Sequence, residues 1–283
     1  MPFVRVAVLT SRAMIAFASN SLLCRVALKD TGIDAASFTT IRLISGAVIL
    51  WLIVTMRRNT KSGKGNWLSA LALFVYAAGF SFAYVNLSAS TGALLLFGAV
   101  QATMIGQGLW SGERLQRIQL VGLLLALAGL VVLLSPGLSA PPLSGSLLML
   151  SAGVAWGVYS IRGKGAGDPM KVTAGNFLRA VPLAAVLILL MQDMVSVDLA
   201  GFWYAVLSGA VASGIGYAIW YAALPMLRVS TAATVQLSVP VLTALGGIAF
   251  LGESVTLRLV LASMAILGGI GLVIRKKERA EAG

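Results

Sequence analysis

The 283 residues are 59% apolar and only 11% charged, with a mean hydropathy of +0.94. A soluble domain carries roughly a quarter of its residues as charges, so a water-soluble globule is excluded, and the single cysteine, Cys24, excludes a disulfide scaffold. The net charge of +12 reads as the loop charge of a polytopic membrane protein rather than as a nucleic-acid footprint.

A helix needs about 20 mostly apolar residues to cross the hydrocarbon core. Taken along the chain, the apolar runs predict ten spans, over 6–25, 35–56, 67–86, 91–111, 118–135, 144–162, 172–191, 200–222, 229–250 and 257–274. The first could be taken for a cleavable signal peptide, but Arg12 interrupts it and the apolar stretch runs on to Leu23, so it is kept as a helix. Two uncharged runs hold two crossings each. Asn86–Thr91 divides one, and the Ser135-Pro-Gly137 to Pro142 stretch divides the other, since proline interrupts helices. The architecture expected is therefore all-α and polytopic.

Basic residues set the orientation. With the N-terminus cytoplasmic, sixteen Lys and Arg fall in inner segments, while the outer ones hold only Arg25, Lys29 and Arg258. Arg42 and Arg179 lie inside spans. That asymmetry places both termini in the cytoplasm, and it makes the basic tail Arg275–Lys277 an orientation anchor in preference to a lipid-binding cluster.

The two halves repeat. At an offset of 137, Arg25 falls on Arg162, Arg42 on Arg179, Phe80 on Tyr217 and Tyr84 on Tyr221. At an offset of 140, Ser90-Thr91 falls on Ser230-Thr231 and Gly112-Glu113 on Gly252-Glu253. The expected division is 1–137 and 138–283. Five spans per repeat is an odd number, so the second copy must be inverted in the membrane. Inverted repeats of this kind characterise secondary transporters, with the substrate near midplane between the halves.

The candidate functional residues follow from depth and chemistry. Tyr76, Phe80 and Tyr84 form one helical stripe, matched by Ser213, Tyr217 and Tyr221 in the second half. Tyr84 and Tyr221 suit an interfacial belt, while Tyr76, Phe80 and Tyr217 lie deeper, as core or as cavity wall. Ser19, Asn20, Gln101, Trp156, Tyr159, Gln236 and Ser238 complete the candidate cavity, because polar groups in hydrocarbon need a partner or a wet space. Pro240 is expected to free a backbone carbonyl within the ninth helix, and the small-residue run Gly209–Gly216 to serve close packing. Arg42 and Arg179 read as gates, as clamps on a carboxylate, or as caps on backbone carbonyls. Glu113 and Glu253 read as gates or as structural helix-end residues. No acidic residue lies deep in a span, which argues against tight proton coupling. No catalytic pair, metal cluster or nucleotide-binding loop is present in the sequence, so neither enzyme chemistry nor a cofactor is expected.

The five-helix repeats, Ala155-Trp-Gly157 with Arg162, Phe38 with Arg42, the Ser-Thr-Ala run at 230–232 and the two Gly-Glu pairs resemble the drug/metabolite transporter superfamily. Within it they resemble the ten-helix EamA-type exporters, most of all the YddG-type aromatic amino acid exporters. The resemblance implies a basket of ten helices with spans 1, 3, 4, 6, 8 and 9 around a central cavity and spans 5 and 10 outside it. It implies a bacterial inner-membrane exporter of neutral amino acids and related metabolites, working by alternating access, with a small-molecule substrate, a bilayer and no obligate protein partner. A drug or other metabolite exporter is the alternative, and an intramembrane lipid-modifying enzyme a distant one. Departures are visible too: Ser19-Asn20 stands where the second half has Trp156-Gly157, and no proline in the fourth span matches Pro240.

Overall fold

The computed structural model describes residues 2–57, 63–112, 116–135, 137, 140–163, 167–223, 226–227 and 235–281, with side chains described between 4 and 272. Among them every regular element is helical. Helices α1 (Pro2–Asp30), α2 (Ala35–Met56), α3 (Trp67–Tyr84), α4 (Ala89–Trp110), α5 (Arg117–Leu134), α6 (Leu143–Arg162) and α7 (Pro169–Leu190) are followed by α8 (Leu199–Ala223), α9 (Ser238–Leu251) and α10 (Leu257–Glu281). The first eight are long and apolar enough to cross a membrane, and the described parts of α9 and α10 are shorter apolar helices. Large apolar side chains remain exposed all round the bundle, including Trp110, Val131, Leu190 and Phe250. Only hydrocarbon covers such a surface at low cost, so the chain is a multi-pass membrane protein.

The few acidic side chains explain where several helices begin. Asp34 accepts from the N–H groups of Ala36 and Ser37, Asp168 from Met170 and Lys171, and Asp198 from Gly201. Each satisfies donors that a helix N-terminus leaves free. Pro169 then sits in the first turn of α7, where its missing N–H costs nothing.

Asp34 does a second job. Its Oδ2 accepts from Ser196 N at 2.9 Å while its own N–H donates to Ser196 O at 3.0 Å, clipping the start of α2 to the α7–α8 connection. Burial works against its charge, but the hydrogen bonds from Ser37, Ser196 and Ala36 outweigh it and hold the carboxyl below its ordinary value. A depressed carboxyl stabilises the fold above its unfolded-state range, near pH 4, and that stability is lost as pH falls through the folded value. Asp34→Asn is therefore expected to lower the melting temperature at pH 7, and the deficit to shrink below pH 4. A deficit independent of pH would assign the effect to the lost cap geometry instead.

Helix α5 packs chiefly on α10, and α2 on α7. Between these pairs α6 packs on α3 and α4, while α1 packs on α8 and α9. Glycine makes the approaches close. A Cβ on Gly153 of α6 would lie 2.6 Å from the Cβ of Ala99 on α4.

Several predicted features are corrected by the structure. The first helix runs from Pro2 to Asp30, well beyond 6–25, because Arg5, Arg12, Arg25 and Lys29 are compatible with helix even where they end an apolar run. In the ninth, Val235 and Gln236 are helical, Leu237 is a turn and the main helix resumes at Ser238, an interruption that falls where Pro240 leaves the Gln236 carbonyl without an N–H. Residues 229–234, predicted as the start of that span, lie outside the described residues, as do Ser230-Thr231-Ala232 and Glu113. Helix α8 is α-helical over Leu199–Val206 and Gly216–Ala223, but Leu207–Ile215 between them is π-helical. The small-residue run packs closely as expected, Gly209 on Arg42 and Ser45 and Gly214 on Ile49, and it also marks a change of helical register. Pro182 inside α7 was not anticipated as an interruption.

Candidate functional site

The aromatic stripes of α3 and α8 meet Trp156 of α6 in the interior. Trp156 stacks on Tyr217 (ring centroids 5.3 Å, 20°) and on Tyr159 (5.3 Å, 26°), and Tyr76 tilts against it at 4.8 Å. Phe17 of α1 meets Tyr217 edge-on at 5.7 Å, and Phe80 joins Tyr76 at 5.5 Å. A narrow cavity of about 30 Å³ lies among these rings, lined by Phe17, Asn20, Ser21, Tyr76, Phe80, Leu96, Phe97, Trp156, Ala212, Ser213, Tyr217 and Gln236. Its walls come from α1, α3, α4, α6 and α8, with Gln236 from the segment before α9.

Of the ten residues expected to line a cavity, six do so: Asn20, Tyr76, Phe80, Trp156, Tyr217 and Gln236. Tyr159 is one layer out, behind Trp156, and its hydroxyl meets Thr173 (3.4 Å) and Asn176 (3.4 Å). Ser19 is half-buried and Gln101 fully buried, both outside the lining, and the Ser238 hydroxyl donates to Val235 O. Tyr84, expected at the interface, is instead fully buried and donates to Ala89 O, because the α3–α4 turn folds over it. The sequence reading did not bring Phe17, Ser21, Leu96 or Phe97 to the site. The hydrophobic neighbours of a polar position carry no signal that separates a cavity wall from ordinary core.

The π segment explains the α8 contribution. Ser208 donates to Asn20 Oδ1 at 2.6 Å, Ser213 lines the cavity, and Tyr217 stacks on Trp156. A five-residue step in an α-helix turns a side chain by about 140° away from its starting face. The wider π turn brings positions 208, 213 and 217 toward one side, and such segments recur at functional sites.

Arg42 and Arg179, equivalent in the repeat, are used differently. Arg42 is 2% exposed; its Nη2 donates to Tyr76 Oη at 3.0 Å, and its Cζ lies 5.2 Å and 4.8 Å from the ring centres of Tyr76 and Phe80. Arg179 is half-buried and turns back on its own helix, donating to Gly175 O at 2.8 Å. Tyr76 Oη also accepts from Asn20 Nδ2 at 3.5 Å, so a polar chain runs Arg42–Tyr76–Asn20–Ser208 across α2, α3, α1 and α8.

Two further voids lie away from this network. The larger, about 350 Å³, sits between α4, α5, α6 and α10 among Leu94, Leu123, Leu127, Leu150 and Ile266, and offers no charged group to a polar solute. The second, about 220 Å³, lies between α4, α9 and α10 and reaches Glu253. Glu253 itself accepts from Ala89 N (2.6 Å), Ser90 N (3.3 Å) and Ser90 Oγ (3.1 Å) at the start of α4. Among the described residues no group of three or more His, Cys, Asp and Glu is arranged to hold a metal.

The profile of the EamA-like transporter family matches the chain twice, over residues 5–135 and 143–275. The chain belongs to that family. A Pseudomonas aeruginosa protein of uncharacterised function is 58% identical over 97% of this chain and 96% of its own length. The threonine/homoserine exporter RhtA of Escherichia coli K12 is 30% identical, over 87% of this chain and 85% of its own. A probable amino-acid metabolite efflux pump of Salmonella typhimurium is 28% identical over 56% of this chain and 58% of its own. One solved crystal structure shares the fold, with a TM-score of 0.67 and 19% identity across 95% of this chain and 96% of that one. Exporter relatives and membrane helices together identify a transporter with a small-molecule substrate.

Proposed function

We propose that the protein exports neutral amino acids across a bacterial inner membrane by alternating access, with the aromatic cavity as the substrate site. The observation that carries this reading is the convergence of aromatic rings with Asn20, Ser213 and Gln236 on one interior cavity, which at about 30 Å³ is occluded and must widen to admit an amino acid. The exporter relatives point to the same substrate class. Aromatic specificity is supported by the Trp156–Tyr217 wall alone, whereas the named relatives export threonine and homoserine.

The mechanism needs two inverted repeats, here 1–137 and 138–283, with ten crossings and both termini inside. Support comes from the double family match and from packing. Exchange of the halves maps α3 on α6 to α8 on α1, and α4 on α6 to α9 on α1, and both members of each pair are in contact. Rocking of one half on the other then exposes the site alternately. Asp34, Asp168, Asp198 and Glu253 are engaged with backbone at helix starts, and among the described residues no carboxylate lines the cavity as a proton relay. Transport is accordingly read as uniport or exchange.

The test is uptake by liposomes holding the purified protein, with no ion gradient imposed. Labelled phenylalanine, threonine and homoserine are each compared with a cationic dye. Saturable amino acid flux is expected. Dye flux without amino acid flux would overturn the proposal in favour of a drug exporter.

A further inference from the structure

Arg42 is a permanent cation in the interior of the bundle, and among the described residues no carboxylate pairs with it. A guanidinium carries five N–H donors and stays protonated at any physiological pH. Among the described residues its hydrogen bond is to Tyr76, and Nη1 has no partner. The nearest acidic residue along α2 is Asp34, eight residues and about 12 Å away by helical rise, and its oxygens are taken by Ala36, Ser37 and Ser196. Nor is Arg42 a backbone cap. Arg25 holds Tyr84 O and Val85 O, Arg179 holds Gly175 O and Arg258 holds Ser135 O, whereas Arg42 is directed at two ring faces and a phenol.

The groups beside it carry the same surplus of donors. Tyr76 Oη already accepts from Arg42 and from Asn20, which leaves its own proton to give. Asn20 Oδ1 is occupied by Ser208. The Ser213 hydroxyl, buried at the cavity wall, has no partner. Donors are left over around Arg42, on Nη1, on the Tyr76 phenol and on Ser213, and a carboxylate satisfies a guanidinium and a phenol together.

We infer that Arg42, with Tyr76, is the receptor for the carboxylate of the transported molecule, so that the site takes carboxylates, free or zwitterionic, and rejects cations that lack one. This rests on the cavity being the transport site, and it makes Arg42 a specificity-determining residue rather than a gate. Arg42 lies behind the lining, in cation–π contact with the Tyr76 and Phe80 rings that form the wall, so a carboxylate reaches it beside the Tyr76 phenol. The carboxylate then supplies the charge partner during passage.

The test compares acid with amide in one protein. Liposomes holding wild-type protein are assayed for labelled phenylalanine uptake in the presence of 3-phenylpropionate or phenylalaninamide, and threonine is assayed against threoninamide. The carboxylate is expected to compete about tenfold or more better than the amide, the ratio lost with one charge-assisted hydrogen bond. Arg42→Gln is expected to bring that ratio near one, and Arg42→Lys to keep part of it. The ratio is internal to each protein, so a smaller folded fraction does not change it. Equal competition by acid and amide in the wild type would overturn the inference while leaving amino acid export intact. Uptake of 3-phenylpropionate that needs Arg42, without amino acid flux, would uphold the inference and sink the amino acid reading. If neither moves, thermal stabilisation of the detergent-solubilised protein by 3-phenylpropionate over phenylalaninamide decides it, equality counting against.

Discussion

Gly209→Ala is expected to cut the stability of the purified protein by about 1–3 kcal/mol, the range for overpacking a close contact, whereas Gly268→Ala leaves it unchanged or improves it. Gly209 sits in the π segment of α8 against α2, and a Cβ there would fall on the backbone carbonyl of Arg42 and on the hydroxyl of Ser45. Backbone cannot move aside as a flexible side chain can, so α2 and α8 must separate along their contact. Gly268, in α10, has open space where its Cβ would be, and alanine there gains helix propensity. Melting of both variants in one detergent, followed by size-exclusion chromatography, checks the contrast. Equal melting temperatures would mean that α8 does not approach α2 this closely. The carbonyl displaced belongs to Arg42, so transport is expected to fall further than the folded fraction alone accounts for.

Much of this was legible in the sequence, and the reason is chemical. Charges are so scarce that each one marks a boundary or a special position, so the runs between them gave α2 to α7 with ends within three residues. The aromatic stripe of α3 was legible because Tyr76, Phe80 and Tyr84 follow helical spacing in a regular helix. Its counterpart in α8 was legible only in part. Sequence spacing assumes α-helical turns, and Leu207–Ile215 is wider, so Ser208 did not register as a partner for Asn20. The equivalence of Arg42 and Arg179 misled for a different reason. Each takes its environment from the facing helix, and where Arg42 finds the Tyr76 phenol, the matching position in α8 is Ser213, too short to serve the same way. Arg179 turns back to its own backbone. The clip between Asp34 and Ser196 was invisible because it joins residues more than 160 positions apart in two polar turns.

Glu253→Ala is expected to loosen one end of the bundle and to expose the cavity from that side. The α3–α4 turn is held there by two charges of opposite sign. Arg25 Nη1 donates to Tyr84 O at 2.8 Å and to Val85 O at 3.0 Å, where α3 ends, and Glu253 accepts from Ala89 N and Ser90 N, where α4 begins. A cation at a helix C-terminus and an anion at an N-terminus both match the helix dipole. Gly252, at φ +60, closes α9 in the left-handed conformation that delivers Glu253 to this position. Glu253 thus ties the α9–α10 connection to the start of α4, joining the two halves at the end that the charge asymmetry reads as outer, while Arg25 ties α1 to the end of α3 within the first half. At the opposite end the repeat places Arg162 in the role of Arg25, yet Arg162 donates to Ser69 Oγ and Asn66 Oδ1 at the start of α3. On the proposed alternating-access reading, rocking must break the contacts that join the halves, Glu253 to the start of α4 at one end and Arg162 to the start of α3 at the other. Removing the Glu253 carboxylate costs a cap worth about 1 kcal/mol, small against the whole fold but comparable with the gap between two transport states. In a Cys24→Ala background, a cysteine placed by Ser213→Cys is expected to react about fivefold faster with an impermeant thiol reagent from the outer side when Glu253→Ala is added, the factor that a shift of about 1 kcal/mol gives. Glu253→Gln, which keeps the acceptor and loses the charge, is expected to fall between. Unchanged labelling with a lower melting temperature would make Glu253 a structural cap and remove it from the gate.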